Sequence, residues 1–125
     1  MFTHIMVGSN DFDQSKAFYD AALGALGVPA GAAHKGHAFY SHNGGNFGVG
    51  GPADGNVANA ANGGTIGFSA ANKEAVDAFH AAGLENNGTC DGPPGIRPNA
   101  PGNAYGAYLR DPVGNKICAF CQIIE

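Results

Sequence analysis

The strongest constraint on the fold is that the chain repeats itself. With a shift of 61 positions, residues 4–7 fall on residues 65–68, and residues 11–23 fall on residues 72–84. Both copies have an apolar start, then an Asp or Asn, and then Ala, Phe and Leu at the same spacing. Self-similarity at a fixed offset is the signature of a repeated supersecondary unit. The sequence therefore predicts two similar modules.

Each module is predicted to have the order β-α-β-β-β. The apolar start of each copy suits a short strand, and Asp11 and Asn72 suit helix N-caps. Apolar residues at helical spacing follow, and Gly27 and Gly83 are predicted to end the two helices. Three short extended pieces, separated by turn residues, complete each module. These pieces are Ala30–His34, His37–His42, Gly45–Gly51, Asn86–Asp91, Ala104–Asp111 and Lys116–Ile124.

The length of 125 residues suits a single α+β domain. The repeat places module 1 at about residues 1–52, a linker at 53–62 and module 2 at about 63–125. The segment Gly92–Gly102 contains four prolines and is predicted to be a long loop. Long loops inside compact domains are often functional, so this segment is a candidate for ligand contact.

Composition and charge exclude several classes of function. Six Lys and Arg against ten Asp and Glu give a net charge of −4. This balance disfavours nucleic-acid binding, because phosphate contacts need clustered cations. No apolar run approaches the roughly 20 residues of a membrane span, and the first residues do not resemble a secretory signal peptide. The odd number of cysteines, three, indicates reduced thiols in a cytoplasmic protein.

The period of two along a strand assigns side chains to faces. The bulky apolar residues of the two first strands are predicted to pack against the helices, and they are Ile5, Val7, Ile66 and Phe68. The faces that carry His4 and Thr65 then point into a space shared by the two modules. In the last strand, Cys118 and Phe120 are predicted to face that space, whereas Cys121 faces the helices.

Three motifs resemble those of a known superfamily. They are His4-Ile5-Met6-Val7 with Asp11 and Phe18-Tyr19 downstream, Gly64–Phe68 (GTIGF), and Tyr108–Ile117 (YLRDPVGNKI). The last is similar to the Asp-Pro-x-Gly-Asn-x-Ile signature of the vicinal oxygen chelate superfamily. That superfamily includes lactoylglutathione lyase, bleomycin-resistance proteins and extradiol dioxygenases. The resemblance implies two tandem βαβββ modules that form a curled mixed sheet around a cavity, usually in a homodimer.

The resemblance also implies a divalent metal ion, such as Zn, Ni, Mn or Fe, held by one ligand from each of four strands. Carried onto this sequence, the four positions are His4, Gly48, Thr65 and Cys118. Only His4 keeps the ligand that the resemblance implies. Gly48 has no side chain, Thr65 stands in place of a His, and Cys118 stands in place of a Glu. The expected metal site is therefore degenerate.

His4 and Cys118 remain the candidate catalytic residues, each with alternatives. His4 is either a metal ligand or a cavity-lining histidine with a hydrogen-bond partner. Cys118 is a zinc ligand together with His4, a nucleophilic or redox thiol, or a buried inert thiol. Cys118 and Cys121 resemble a C-x-x-C pair, but their spacing puts them on opposite faces of a strand.

The remaining histidines and the two arginines receive separate predictions. We expect His34, His37 and His42 to form a polar rim, because His37 and His42 point to opposite faces of one strand. His80 is predicted to be a helix-surface residue. Arg97 is suited to bidentate contact with a carboxylate or phosphate of a ligand. Arg110 is better explained as a structural partner of the turn that follows it.

The first functional hypothesis is that the chain binds a small molecule in the cavity between the modules, with a degenerate metal site. The residues predicted to line the cavity are His4, Met6, Phe47, Thr65, Gly67, Arg97, Tyr108, Cys118 and Phe120. One alternative is a divalent-metal-dependent lyase or isomerase of the lactoylglutathione lyase type. Another is a non-catalytic dimeric partner of a different enzyme.

Overall fold

The computed structural model describes residues 1–99 and 103–122. Within them the predicted β-α-β-β-β order occurs twice. The elements are β1 (Ile5–Gly8), α1 (Phe12–Gly24), β2 (Ala32–His34), β3 (His37–His42), β4 (Gly45–Gly50), β5 (Ile66–Ser69), α2 (Lys73–Glu85), β6 (Thr89–Ile96), β7 (Ala104–Arg110) and β8 (Lys116–Gln122). Neither helix is long and apolar enough to cross a bilayer.

The strands form two four-stranded mixed sheets, one per module. The order in the first sheet is β1-β4-β3-β2, and the order in the second is β5-β8-β7-β6. In each sheet the first strand of the module pairs in parallel with the last, and the other neighbours are antiparallel. The α+β fold with tandem βαβββ modules is confirmed. In both sheets the first strand of the module lies at an edge.

Both helices begin where the sequence predicts, but α2 does not end at the predicted residue. Asp11 Oδ1 accepts a hydrogen bond from the Gln14 N–H, and Asn72 Oδ1 accepts one from the Ala75 N–H. The prediction that Gly83 ends the second helix is wrong. Gly83 is buried inside α2, and a Cβ at this position would collide with the Leu109 side chain. Glycine is therefore required there by close packing between helix and sheet.

The predicted loop at Gly92–Gly102 is also partly wrong, because β6 continues through Pro93 and Pro94 to Ile96. A proline cannot donate to a sheet ladder and is tolerated at an edge. Strand β6 is the edge of the second sheet, and its register with β7 shifts on both sides of Gly92. Residues 100–102 of the predicted loop, and residues 123–124 of the predicted last strand, lie outside the described residues.

One hydrophobic core joins the two modules through their helix-facing sides. Ile5, Val7, Ile66 and Phe68 pack against this core, as strand parity predicted. The rings of Phe47, from the first sheet, and Phe68, from the second, meet edge to face with centroids 5.3 Å apart. The helix-facing sides of the two sheets are thus turned toward each other. Their other faces point away from the shared core.

A buried carboxylate fixes this arrangement. Asp111 lies in the β7–β8 turn and is 3% exposed. Its Oδ2 accepts a hydrogen bond of 2.6 Å from the Tyr19 hydroxyl of α1 and one from the Asn115 amide. Its Oδ1 accepts hydrogen bonds from the backbone N–H groups of residues 113–115. The Asn115 amide also donates to the Gly8 carbonyl at the end of β1. The Asp-Pro-Val-Gly-Asn run therefore builds a turn and connects the modules.

We expect Asp111→Ala to lower the free energy of unfolding by about 3 kcal/mol or more, because it leaves several buried donors without an acceptor. Tyr19→Phe removes one donor and should cost about 1–2 kcal/mol. Urea unfolding followed by circular dichroism measures both changes. The control is Ser41→Ala, which removes an exposed hydrogen bond to Asn46 and should change stability by less than about 0.5 kcal/mol. A loss for Asp111→Ala no larger than that of the control would contradict the role assigned to this carboxylate.

Candidate functional site

The first candidate surface is the outward face of the first sheet. Met6 on β1 lies beside Gly48 on β4 in register, and Phe39 on β3 follows. Met6 and Phe39 are 41% and 44% exposed. They lie in an open depression of about 520 Å³, which we call the Met6 cleft. Its lining residues are Thr3, His4, Met6, His37, Phe39 and Asn46.

Two histidines border the Met6 cleft. His4 is exposed, and its Nδ1 lies 2.9 Å from the Thr3 hydroxyl. The His37 ring stacks on Phe39 at an interplanar angle of 20°, and its Nδ1 lies 3.2 Å from the Lys35 carbonyl. The floor of the cleft is therefore apolar and polarisable, whereas the rim offers imidazole groups for hydrogen bonds.

The second candidate surface is the outward face of the second sheet, which we call the Tyr108 face. Tyr108 on β7 lies opposite Cys118 on β8, and Cys118 lies opposite Gly67 on β5. The rings of Tyr108 and Phe120 meet edge to face with centroids 5.6 Å apart. Together the two rings form an apolar surface that a ligand ring can contact, which we call the aromatic platform.

Cations surround this platform. Arg97 lies 5.6 Å and Lys116 4.9 Å from the centre of the Tyr108 ring. Lys116 and Arg110 also pair with the carboxylate of Asp91, at 3.5 and 3.1 Å. Three of the six Lys and Arg residues of the chain thus meet at one face, against a single carboxylate among these contacts. The Tyr108 face therefore attracts anions.

Arg97 and Arg110 are also held by backbone groups. The Arg97 guanidinium donates to the Pro93 carbonyl, so the proline-rich strand β6 positions it. Arg110 donates to the Gly114 carbonyl at 3.0 Å, as expected of a structural partner of the following turn. Arg97 is therefore the arginine with its charge directed over the aromatic platform.

The structure distributes the predicted lining residues over several places. His4 and Met6 share the Met6 cleft, whereas Arg97, Tyr108, Cys118 and Phe120 share the Tyr108 face. Phe47 lies on the helix-facing side of its sheet, 6% exposed, against the Tyr19 ring. Thr65 is exposed just before β5. The residues that line the Met6 cleft all belong to module 1.

A second depression of about 520 Å³, which we call the junction cleft, lies on the helix-facing side where the two modules meet. Ile5, Leu26, Phe47, Ile66 and Phe68 supply much of its apolar wall. Its borders include His42 and Gly67. Its described lining residues include no Asp, Glu, Lys or Arg, so it offers mainly shape and apolar surface.

The residues at the expected metal positions do not fit a metal ion. A side chain at Gly48 would collide with the Met6 thioether, which occupies the space where a ligand would extend. Thr65 offers only a neutral hydroxyl. Burial raises the pKa of the Cys118 thiol to about 11, so binding a metal ion there would first have to remove the thiol proton. The described residues contain no group of three His, Cys, Asp or Glu that could hold a metal ion.

Burial of Cys118 predicts a specific dependence of stability on pH. Its pKa rises from 9.0 to about 11, mainly through loss of hydration, with a small opposing effect of Lys116. The folded chain thus keeps this proton to a higher pH than the unfolded chain. The free energy of unfolding should therefore fall between pH 9 and 11, because unfolding releases the proton there.

In Cys118→Ala this decline should be shallower, measured by urea unfolding at several pH values. Tyr19, whose pKa burial also raises, supplies a residual slope above pH 10 in both proteins. If the free energy of unfolding falls equally steeply in wild type and Cys118→Ala from pH 9 to 11, the pKa of the Cys118 thiol is not raised in the folded chain.

The residues predicted to line the cavity do not include Phe39, His37 or Lys116, which the structure places at these surfaces. His37 is predicted above as part of a polar rim. The alternation of His37 and Phe39 with the buried Ala38 and Tyr40 could have placed both on the outward face. Lys116 lies two residues before Cys118 on β8. The period of two along a strand therefore places its side chain on the same outward face as Cys118.

Comparisons with known proteins agree with the fold. A family model described as Glyoxalase/Bleomycin resistance protein/Dioxygenase superfamily matches residues 1–119. A solved glyoxalase/bleomycin resistance protein from Albidiferax ferrireducens T118 is 55% identical with a TM-score of 0.92, over 96% of this chain and 98% of that one. No curated protein sequence matches the chain.

Two further solved structures share the fold at low identity. A glyoxalase-related enzyme from Fulvimarina pelagi is 16% identical, with a TM-score of 0.76, over 96% of this chain and 86% of that one. A lactoylglutathione lyase from Agrobacterium tumefaciens is 20% identical, with a TM-score of 0.65, over 96% and 92%. At this level of identity the likeness concerns architecture alone.

Proposed function

Since the chain belongs to the glyoxalase/bleomycin resistance protein/dioxygenase superfamily, we propose that it binds a small anionic molecule in a cavity completed by a second copy. In this homodimer the Met6 cleft of one copy faces the Tyr108 face of its partner. The cavity works without a bound metal ion. The observation that carries this proposal is that both candidate surfaces point away from the core that joins the modules in one chain.

The sheet edges support assembly. Strands β1 and β5 each pair on one side only within the described residues, and both are short and apolar. An unpaired apolar edge is a template for pairing with another chain unless something covers it. Edge-to-edge contact of β1 with β5 of another copy would bring the Met6 cleft and the Tyr108 face to one concave side.

The exposed surface of the chain also supports assembly, because it includes large apolar side chains. Phe2, Met6 and Phe39 are among its large exposed hydrophobic residues. Met6 on β1 and Phe39 on β3 flank Gly48 on the strand between them, and contiguous exposed apolar groups mark a surface that a partner or ligand covers.

The chemistry of the two surfaces defines the ligand class. The Tyr108 face supplies Arg97 and Lys116 beside an aromatic platform, and the Met6 cleft supplies an apolar floor with two imidazoles. A molecule with an apolar, flat body and a carboxylate or similar anion satisfies both. Metal-dependent lyase chemistry lacks its ligands here, so we propose binding rather than that reaction.

Three free thiols support a reducing, cytoplasmic location.

Titration calorimetry with a panel of aromatic carboxylates and their carboxamides tests the proposal. We expect saturable binding of at least one carboxylate, weaker binding of its amide, and no effect of EDTA. Arg97→Ala or Lys116→Ala should weaken carboxylate binding roughly tenfold, because each removes a charged hydrogen-bond donor whose contact contributes about 1.5 kcal/mol. Lys35→Ala, an exposed cation of module 1, serves as the control and should leave binding unchanged.

Measuring the metal content of the purified protein tests the lyase alternative. Inductively coupled plasma mass spectrometry of untagged protein, exposed in turn to Zn²⁺, Ni²⁺, Mn²⁺ and Fe²⁺, should show no stoichiometric metal. One equivalent that disappears in both His4→Ala and Cys118→Ala would overturn the metal-free part of the proposal. Carboxylates and amides that bind equally would overturn the charge-based part.

A further inference from the structure

A thiol and an imidazole meet on the opposite side of the second sheet from the Tyr108 face. His80 Nε2 on α2 lies 3.1 Å from Cys90 Sγ on β6. Cys90 is exposed, and it lies opposite Leu109, a core residue, in the β6–β7 register. The pair is therefore accessible to solvent and separate from the proposed ligand cavity.

The surroundings make His80 a proton acceptor. Partial burial lowers the pKa of His80, while the carboxylate of Asp77, one helical turn earlier, opposes this shift. Burial thus favours the neutral imidazole, whose Nε2 lies 3.1 Å from the Cys90 sulfur and can accept the thiol proton. Asp77 itself accepts a 2.6 Å hydrogen bond from the Tyr105 hydroxyl of β7. The negative charge of Asp77, three residues before His80 on the same helix, favours the imidazolium that forms.

We propose that Cys90 and His80 form a thiol–imidazole pair at which low-molecular-weight disulfides modify the protein. His80 takes the proton of the Cys90 thiol, and the thiolate attacks one sulfur of the disulfide. A new S–S bond forms to Cys90 while the disulfide's own S–S bond breaks. The departing thiolate takes the proton from His80, so protons and electrons balance without another reagent. The product is a mixed disulfide on the surface of module 2.

The other two thiols provide an internal contrast. Burial raises the pKa of both Cys118 and Cys121, and both side chains are buried. Cys121 packs beside Val76 under α2. Thiols that are buried and protonated react slowly with disulfides. Modification of the native protein should therefore be confined to Cys90.

The test is the rate of reaction of the native chain with 4,4′-dithiodipyridine and with oxidised glutathione at pH 7. We expect one fast equivalent per chain with a rate about tenfold above that of N-acetylcysteine, since a base 3.1 Å from the sulfur can take the thiol proton as the new S–S bond forms. Mass spectrometry of the glutathione product should place a single adduct on Cys90. Cys90→Ser should abolish the fast phase.

The variant His80→Gln separates the base from simple exposure. It keeps a polar side chain at an accessible helix position, and it should slow the fast phase about tenfold. His42→Gln, at an exposed histidine of module 1, is the matched control and should react like the wild type. Circular dichroism melting confirms that each variant is folded. If Cys90 reacts at the N-acetylcysteine rate, and His80→Gln is no slower, the proposal is wrong.

Discussion

The arrangement of the whole chain depends on the buried carboxylate of Asp111. One of its oxygens closes the β7–β8 turn by accepting hydrogen bonds from three backbone N–H groups. The other accepts a hydrogen bond from the Tyr19 hydroxyl of the first module. Through Asn115 the same turn reaches the end of β1. A carboxylate this deeply buried is stable only when hydrogen bonds surround it, so the turn and the module junction depend on the same group. The helix-facing sides of the two sheets are thereby held against one core.

This junction has a consequence for function. Because the core lies between the helix-facing sides, the Met6 cleft and the Tyr108 face point outward, and none of the residues that the structure describes in one chain closes either of them. Met6 occupies the space above Gly48, where a metal ligand would otherwise extend, and Cys118 carries a buried, protonated thiol. What remains is an apolar floor with imidazoles on one surface and an aromatic platform with cations on the other. These are groups for binding an anion, and the proposed dimer brings them together.

Much of the fold could be predicted because it follows from local rules. The repeat revealed the two modules, the caps at Asp11 and Asn72 marked both helix starts, and strand parity separated Ile5 and Val7 from Met6. Other features depend on contacts between distant residues. Gly83 is needed because Leu109 packs against α2, and Pro93 and Pro94 continue a strand because β6 lies at an edge. The positions of Phe47 and of the Cys90–His80 pair depend on how sheet and helix pack, which periodicity does not encode.

The central claim is that the cavity lies between copies, and hydrogen exchange measured by mass spectrometry at two protein concentrations tests it most directly. If β1 and β5 meet across copies, peptides covering residues 5–8 and 66–69 will exchange slowly at the concentration where the protein is dimeric. They will exchange faster after dilution to monomer, whereas β2 at the other edge of its sheet will not change. Protection of β1 and β5 that is the same at both concentrations, with sedimentation confirming the change of mass, would contradict the account.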